Sequence, residues 1–599
     1  MDWNHEVIAS LIWLGKTFAL SLLGMLGTAL ALSHGTDWGR KFRRISWQYF
    51  SPKEHKLPLL WLGIIIFMTL FGVRMNVLFS FWYNGFYSAM QKLDAPAFWF
   101  MLLIFSILAT IHVVRALLEF YLQQAFQIRW RIWLTHKLVD RWFAHQAYHR
   151  SQYLPELLDN PDQRIQQDVD SFTEISLKLA MGLLNAVVSL IAFTVILWGL
   201  SGTLELWGAE IPRAMVFMVY IYVILATVFA LKIGRPLINL SFFKERFNAS
   251  FRYVLIRVRE YSESIAFYRG EGVERKHLLA GFADVINNAW AIVFRSLKLQ
   301  GFNLGVSQAA VVFPFIVQAP RLLTQKITLG DVMQTAEAFS QVQSALSFFR
   351  SSYDDFAAYR AVINRLAGFL DAMDAAEQLP SVQAIATEDG LALESFSVQT
   401  PSHTPLVKGL NLTLRPADSL LIRGPSGIGK TTLLRAIAGL WPYADGRVHR
   451  PLSRQSLFLP QKPYMPMGTL RWALYYPDPP KMDAHAEHEA AEVLQRCQLA
   501  HLISRLDETD DWTRILSLGE QQRLAIGRVL LNAPQVLFLD EASSAMDEGL
   551  EYAMYQLLRQ TLPKLILISV GHRSSLLEFH TQTLDLQGAG RWQLGTSGK

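Results

Sequence analysis

Seven helix-length stretches limit what this chain can fold into: residues 7–33, then roughly 57–80, 98–122, 176–200, 213–233, 298–320 and 329–350. About 20 apolar residues cross a bilayer as a helix, and a backbone in lipid must satisfy its own hydrogen bonds. The first run, VIASLIWLGKTFALSLLGMLGTALALS, follows the acidic opening MDWNHE, and further apolar runs come after it. It therefore reads as a membrane helix and not as a signal peptide, which would open on basic residues. The last run contains QTAEAFSQVQSALSFF, with several polar groups. The Gly330-Asp331 pair before it gives a helix start, and a helix facing an interior need not be apolar all round. The expected membrane part is six core spans plus one leading helix.

Composition supports this division. At 599 residues the chain exceeds one compact core, and 51% hydrophobic against 18% charged residues is unusual for a soluble protein. The net charge of +6 lies largely beside apolar spans, which fits membrane topology better than nucleic-acid binding. The segment after the leading helix carries Arg40, Lys41, Arg43, Arg44, Lys53 and Lys56, so it is expected in the cytoplasm and the N-terminus outside. Alternation then puts the long, Arg-rich segments 123–175 and 234–297 inside, with short outer connections near 81–97, 201–212 and 321–328. The single cysteine, Cys497, excludes an intrachain disulfide and a Cys-rich metal site.

Charges inside the spans call for an explanation, since each costs about 2.5–3.5 kcal/mol at mid-bilayer on insertion scales. Arg74 lies in the first core span, and His112, Arg115 and Glu119 share one face of the second. Two readings stand: a hydrophilic pathway, or a structural Arg115–Glu119 pair near the cytoplasmic end.

After a polar, Ala-rich connection at 371–388 the pattern changes to short strands and glycine turns. The chain divides into a leading helix with its basic segment (1–50), a transmembrane domain (51–370) and a soluble α/β domain (389–599). In SLLIRGPSGIGKTTLLRAIAGLW, the loop Gly424, Pro425, Ser426, Gly427, Ile428, Gly429, Lys430, Thr431 joins an apolar strand to an amphipathic helix that continues with Thr432. This is a phosphate-binding loop: glycines let backbone N–H groups curl around phosphate, Lys430 reaches the outer phosphates and Thr431 a Mg²⁺ ion. The strand in VLFLDEASSAMD ends in Asp540, suited to Mg²⁺, and Glu541, a candidate general base for the attacking water. Gln461 and His572 each follow a strand. Either one alone is more often surface or packing, but Gln461 suits Mg²⁺ and water, and His572 the γ-phosphate. RILSLGEQQRLAIGRVLL, residues 514–531, places Ser517, Leu518, Gly519 and Glu520 at a second helix N-terminus, which also favours an anion.

In this order the elements resemble the nucleotide-binding domain of ABC transporters, over all of 389–599. The resemblance implies ATP and Mg²⁺ as cofactors. It makes Ser517 through Glu520 the signature segment, which binds the γ-phosphate held by another copy's loop, and Asp547 the D-loop aspartate. One loop and one signature per chain then imply a homodimer. Two positions depart from the family pattern. Leu518 replaces the usual first glycine, and Thr400 and Pro401 stand where an aromatic stacks on adenine, which leaves Tyr476 as a candidate substitute.

A narrower resemblance rests on DNPDQRIQQDV at 159–169 and FRYVLIRVREYSESIAFYRGEGVER at 251–275. These are similar to cytoplasmic-loop motifs of a half-transporter group that includes peroxisomal fatty-acyl transporters and bacterial transporters of the vitamin B12, bleomycin and antimicrobial-peptide type. It implies an exporter-type helical transmembrane domain fused to the α/β P-loop ATPase domain, with Asp162, Arg164 and Glu263 in coupling loops. It also implies alternating access in a lipid bilayer, with a bacterial inner membrane expected. Hydrophilic compounds or peptides are the expected cargo, against acyl-CoA or lipid, or a signalling ATPase that carries no solute.

Overall fold

The computed structural model describes residues 3–53, 56–154, 160–202, 204–206, 209–382, 384–387, 390–451, 455–480 and 483–596. The chain forms two compact units, one of residues 1–141 and 159–371 and the other of 142–158 and 372–599.

The first unit is helical. Its elements are α1 (Trp3–Gly35), α2 (Asp37–Phe50), α3 (Leu57–Gln91), α4 (Ala95–Phe143), α5 (Pro161–Leu200), a short hairpin of β1 (Leu204–Leu206) and β2 (Ala209–Ile211), α6 (Ala214–Glu260), α7 (Ser262–Tyr268), α8 (Glu271–Leu323), α9 (Leu329–Ser351) and α10 (Tyr353–Gln378). Six described helices, α1, α3, α4, α5, α6 and α8, are long and apolar enough to cross a membrane. At 49, 47 and 53 residues, α4, α6 and α8 reach roughly 70–80 Å by helix rise, about twice what a bilayer needs.

The expected seventh span, α9, falls short on apolarity but is built into the bundle. Ala338, Phe339 and Val342 share a core with Phe193, Leu197 and Val219. Its polar groups face α3: Asn84 Nδ2 donates to Asp331 Oδ1 (2.9 Å) and Gln334 Oε1 (2.8 Å). A Cβ at Gly330 would lie 2.1 Å from the Asn84 carbonyl oxygen, so only glycine allows this approach.

The leading helix is tied to the core by charge. Arg74, buried on α3, pairs with Glu6 (3.0 Å), donates to Ser10 Oγ (2.9 Å) and lies over the Trp13 ring (5.8 Å). At the other end Thr36 caps α2, and the apolar face of α2 docks through Tyr49 and Phe50 onto Phe126 and Trp130 of α4. In α5 a π-helical turn, Arg164–Asp168, buries an Arg164–Asp168 pair, and Asp168 also takes Arg365 Nε (2.9 Å) and Nη2 (2.6 Å).

The second unit is an α/β structure of two larger sheets and a two-stranded pair, Gly468–Thr469 with Thr509–Asp510, with a helical layer. Its strands are β3 (Ala384–Ala386), β4 (Leu391–Gln399), β5 (Pro405–Leu414), β6 (Ser419–Arg423), β7 (Ala444–Arg450), β8 (Ser456–Leu459), β9 (Gly468–Thr469), β10 (Thr509–Asp510), β11 (Val536–Asp540), β12 (Ile566–Val570), β13 (Gln582–Gly588) and β14 (Arg591–Thr596). The main sheet runs β14-β13-β6-β12-β11-β8, parallel except for the edge strand β14. Its central strands are buried on both faces, as LLIR, VLFLD and ILISV require. The second sheet is β3-β7-β4-β5. The connection expected at 371–388 is structured at both ends: α10 runs on to Gln378, and β3 pairs with β7. The helices are α11 (Lys430–Ile437), α12 (Leu470–Tyr475), α13 (Ala484–Arg496), α14 (Leu518–Asn532) and α15 (Glu548–Thr561). Helices α12 to α15 close around Cys497, Trp512 and Leu524.

The Glu6–Arg74 pair gives a first prediction. Arg74→Met strands a carboxylate in an apolar setting and should destabilise the protein by on the order of 3 kcal/mol. The double variant Glu6→Gln/Arg74→Met should lose less than half as much, read as the thermal unfolding midpoint in detergent. Equal losses would mean that the pair does not hold α1.

Candidate functional site

The loop between β6 and α11 needs its glycines. Gly424, Gly427 and Gly429 sit at φ of 143°, 78° and 108°, where a side chain would be strained, and Pro425, Ser426 and Ile428 fill the turns between them. Lys430 is buried, and its ammonium donates to the carbonyl oxygens of Gly424 (2.9 Å) and Pro425 (3.1 Å). Thr431 Oγ1 donates to Asp540 Oδ1 (2.9 Å), and Thr432 continues α11. Burial holds the Asp540 carboxyl above its ordinary range, opposed by the Thr431 hydrogen bond.

The next residue turns away. Glu541 has a φ of 51°, and its carboxylate accepts from Gln461 Nε2 (3.3 Å) and faces His572 Nε2 (3.5 Å). Two residues from separate strand ends thus converge on the carboxylate of a third. Behind them, buried Glu551 accepts from Ser543 Oγ (2.5 Å) and Arg573 Nη1 (3.2 Å), which joins the loop after Glu541 to the loop of His572.

Ser517 caps α14 in a reciprocal capping box with Glu520. Its backbone N–H and Oγ donate to Glu520 Oε2 (2.9 and 2.8 Å), and His501 meets Glu520 Oε1 at 3.0 Å. Leu518 is partly exposed, and a Cβ on Gly519 would lie 3.0 Å from the Ala545 carbonyl oxygen. Asp547 Oδ1 caps α15 by accepting from Leu550 N–H (2.8 Å). Sequence reading missed Gln522, which is buried at the centre of these loops. Its amide donates to the Gln461 carbonyl oxygen (2.8 Å) and to Ser544 Oγ (3.4 Å), and accepts from Ala545 N–H (3.1 Å).

The helical unit contains a polar cleft of about 490 Å³. His112, Arg115 and Glu119 of α4 line it, facing Glu174 and Lys178 of α5. Arg115 pairs with Glu119 and donates to the Met68 carbonyl oxygen (3.0 Å); Thr69 Oγ1 adds a hydrogen bond to Glu119 (2.8 Å). A Cβ on Gly72 would come within 2.7 Å of Arg115 Nη1, so this glycine lets the guanidinium cross α3. The Arg115–Glu119 pair thus lines the cleft as well as bracing the helices. Arg74 is not among the lining residues; it serves the α1 contact instead, which corrects its grouping with the other three.

Comparison with known proteins decides the family. Residues 45–323 match ABC transporter transmembrane region 2, and residues 407–544 match the ABC transporter family. A Haemophilus influenzae protein named as an uncharacterized ABC transporter ATP-binding protein is 48% identical over 99% of this chain and 100% of its own length. The chain is an ABC transporter. The Arabidopsis thaliana ABC transporter D family member 2, chloroplastic, is 30% identical, covering 92% of this chain and 86% of its own. A bacterial Atm1-family ABC exporter with ATP bound shares the fold, at a TM-score of 0.67 and 17% identity over 90% of this chain and 96% of that one. The transporter is therefore a multi-pass membrane protein with an exporter-type helical domain, whose α/β unit binds ATP and couples its hydrolysis to transport.

Three expectations about this transporter change. Tyr476 packs against Tyr464 (5.3 Å) and the Arg528 guanidinium (5.5 Å), so its ring is engaged in the helical layer and is a poor adenine platform. Arg164 is buried in its pair with Asp168, unlike the exposed Asp162 and Glu263, and holds α5 together instead of offering a surface. The third concerns residues 142–154, which belong to the ATPase unit. Tyr153 meets Trp441 edge-on (5.2 Å), and Arg150 donates to the Leu379 carbonyl oxygen. Burial, then the Arg435 charge, keeps His149 below the ordinary imidazole range. A lone His and Tyr on a short helix carry no sequence signal of this role.

Gln522 supplies the prediction here. Gln522→Ala should leave ATP affinity within about twofold and slow hydrolysis roughly tenfold, the effect of losing one or two buried hydrogen bonds that align loops. Steady-state ATPase with nucleotide titration tests this. A matched loss of affinity and rate would assign Gln522 to binding.

Proposed function

We propose that the transporter works as a homodimer in a bacterial inner membrane and moves hydrophilic compounds or peptides by alternating access. The polar cleft carries this reading: paired charges, an imidazole and amides inside an apolar bundle suit a hydrated cargo and not an alkyl chain. The 48% identity to a bacterial relative supports the membrane. The exposed aromatics of α7 support the dimer, since Phe267 and Tyr268 are 79% and 88% exposed on the helix that carries Glu263, a surface suited to a second copy.

In this mechanism Glu541 orients and deprotonates the attacking water, with Gln461 and His572 holding its carboxylate. Thr431, Asp540 and Gln461 offer hydroxyl, carboxylate and amide oxygens, a hard donor set with one carboxylate that suits Mg²⁺ brought in with nucleotide phosphates. Thr431, Asp540 and Gln461 would hold the ion where it would supply charge neutralisation for the phosphates. Ser517 and Gly519 present the α14 N-terminus to the partner's phosphate loop, beside Asp547. Closure of the two ATPase units pulls on residues 144–153 and on α7, and the long helices α4, α6 and α8 carry that motion to the cleft.

Acyl-CoA is the second reading, favoured by the D-family relative and by Arg115 and Lys178, which suit phosphates as well. Sealed proteoliposomes discriminate between the two. ATP-driven movement of labelled cobalamin or a proline-rich peptide, and not of acyl-CoA or phospholipid, is expected, and the side of accumulation gives the direction. Glu541→Gln should cut hydrolysis by about a hundredfold or more while ATP still binds, the scale of losing a general base. Arg115→Ala should reduce transport with basal hydrolysis retained. Hydrolysis with no cargo moved would favour a signalling ATPase, and wild-type turnover in Glu541→Gln would remove it as the base.

A further inference from the structure

A second groove, of about 1180 Å³, lies in the helical unit where α1 ends, between α2 and residues 133–141 of α4. Its lining includes Arg40, Arg43, Arg44, Lys137 and Arg141 against one carboxylate, Asp140. Two neighbouring acids take part of this charge: Asp37 pairs with Arg40 (3.5 Å), and Asp371 with Arg44. Arg43 instead donates to His34 Nε2 (3.2 Å), so two basic side chains adjoin at the centre of the wall. The imidazole keeps its proton on Nδ1, which donates to the Leu30 carbonyl oxygen (2.9 Å).

The fold builds this wall deliberately. A Cβ on Gly39 would lie 2.1 Å from the Leu32 carbonyl oxygen, so glycine lets α2 turn back against the end of α1. The aromatic contacts of Tyr49 and Phe50 pin the far side of α2 to α4, which leaves its arginines facing the groove. The same groove includes Leu30, and an exposed apolar strip leads from it along α1 through Leu26, Leu23 and Leu20. Trp47, 59% exposed, and Trp133, with Lys137 over its ring at 5.0 Å, line the junction. Cations and indoles at the foot of an apolar strip are the chemistry of a headgroup layer above acyl chains.

We infer that this groove binds an anionic phospholipid of the cytoplasmic leaflet, with its phosphate among Arg40, Arg43 and Lys137 and an acyl chain along the outer face of α1. The site is independent of the nucleotide site and of the cargo. It would fasten α1 and α2 to the inner end of α4.

Native mass spectrometry of the delipidated full-length protein, titrated with phosphatidylglycerol or phosphatidylcholine, tests the inference. Phosphatidylglycerol adducts should form at roughly tenfold lower concentration, the scale of two arginines at a headgroup. Arg40→Gln/Arg43→Gln should abolish that preference and Arg40→Lys/Arg43→Lys should keep most of it. Equal retention of the two lipids, an unchanged preference in the glutamine variant, or displacement of the lipid by millimolar inorganic phosphate would overturn the site. On the wild-type protein, a photoactivatable phosphatidylglycerol should label peptides within 30–48 or 133–141. Labelling confined to other segments would also overturn it, whatever the stability of the variants.

Discussion

The ATPase unit depends on two adjacent carboxylates being turned to different partners. Asp540 is the last residue of a buried strand, held by Thr431 from the phosphate loop. Glu541 leaves that strand in a left-handed conformation, which swings its carboxylate towards Gln461 and His572. Two like charges on neighbouring residues would repel in one site. Turned apart, one carboxylate meets the phosphate-loop hydroxyl of Thr431 and the other the Gln461 amide. Gln522 and Glu551, both buried, then tie together the loops that carry these partners.

Three helices of the membrane unit are far longer than a bilayer requires. A bilayer accounts for less than half of the length of α4, α6 and α8. Within the ATPase unit Tyr153 rests on Trp441, shortly after α11, the helix that starts at the phosphate loop. The contact is edge-to-face between two half-buried rings. Midway along α4, Arg115 and Glu119 line the polar cleft of the helical unit.

Much of this was legible in the sequence because strong local constraints leave clear residue patterns. Glycines at positive φ between a buried strand and a helix, a Ser capping α14, and acids closing β11 all have sequence correlates. The signal was weaker where tertiary pairing decides. Hydropathy undervalues α9 because its polar groups are satisfied by Asn84 of α3, a partner some 250 residues away in the chain. Arg74 and Arg115 looked alike as charges in spans, yet one holds the leading helix and the other lines a cleft, a difference set by Glu6 and Gly72. Tyr476 and the 144–153 segment show the same limit: an aromatic side chain does not announce which surface it packs on.

In the proposed homodimer each nucleotide site is shared between two copies, with the phosphate loop from one and the α14 N-terminus from the other. Cys497 is buried, with its thiol pushed up to about 12, so it leaves introduced cysteines as the reactive pair. The direct measurement places Ser426→Cys and Leu518→Cys together in a Glu541→Gln background and treats the protein with a short thiol cross-linker, with and without ATP. A covalent dimer formed in an ATP-dependent way is the predicted result. Monomer throughout, or dimer formed equally without nucleotide, would contradict the shared site.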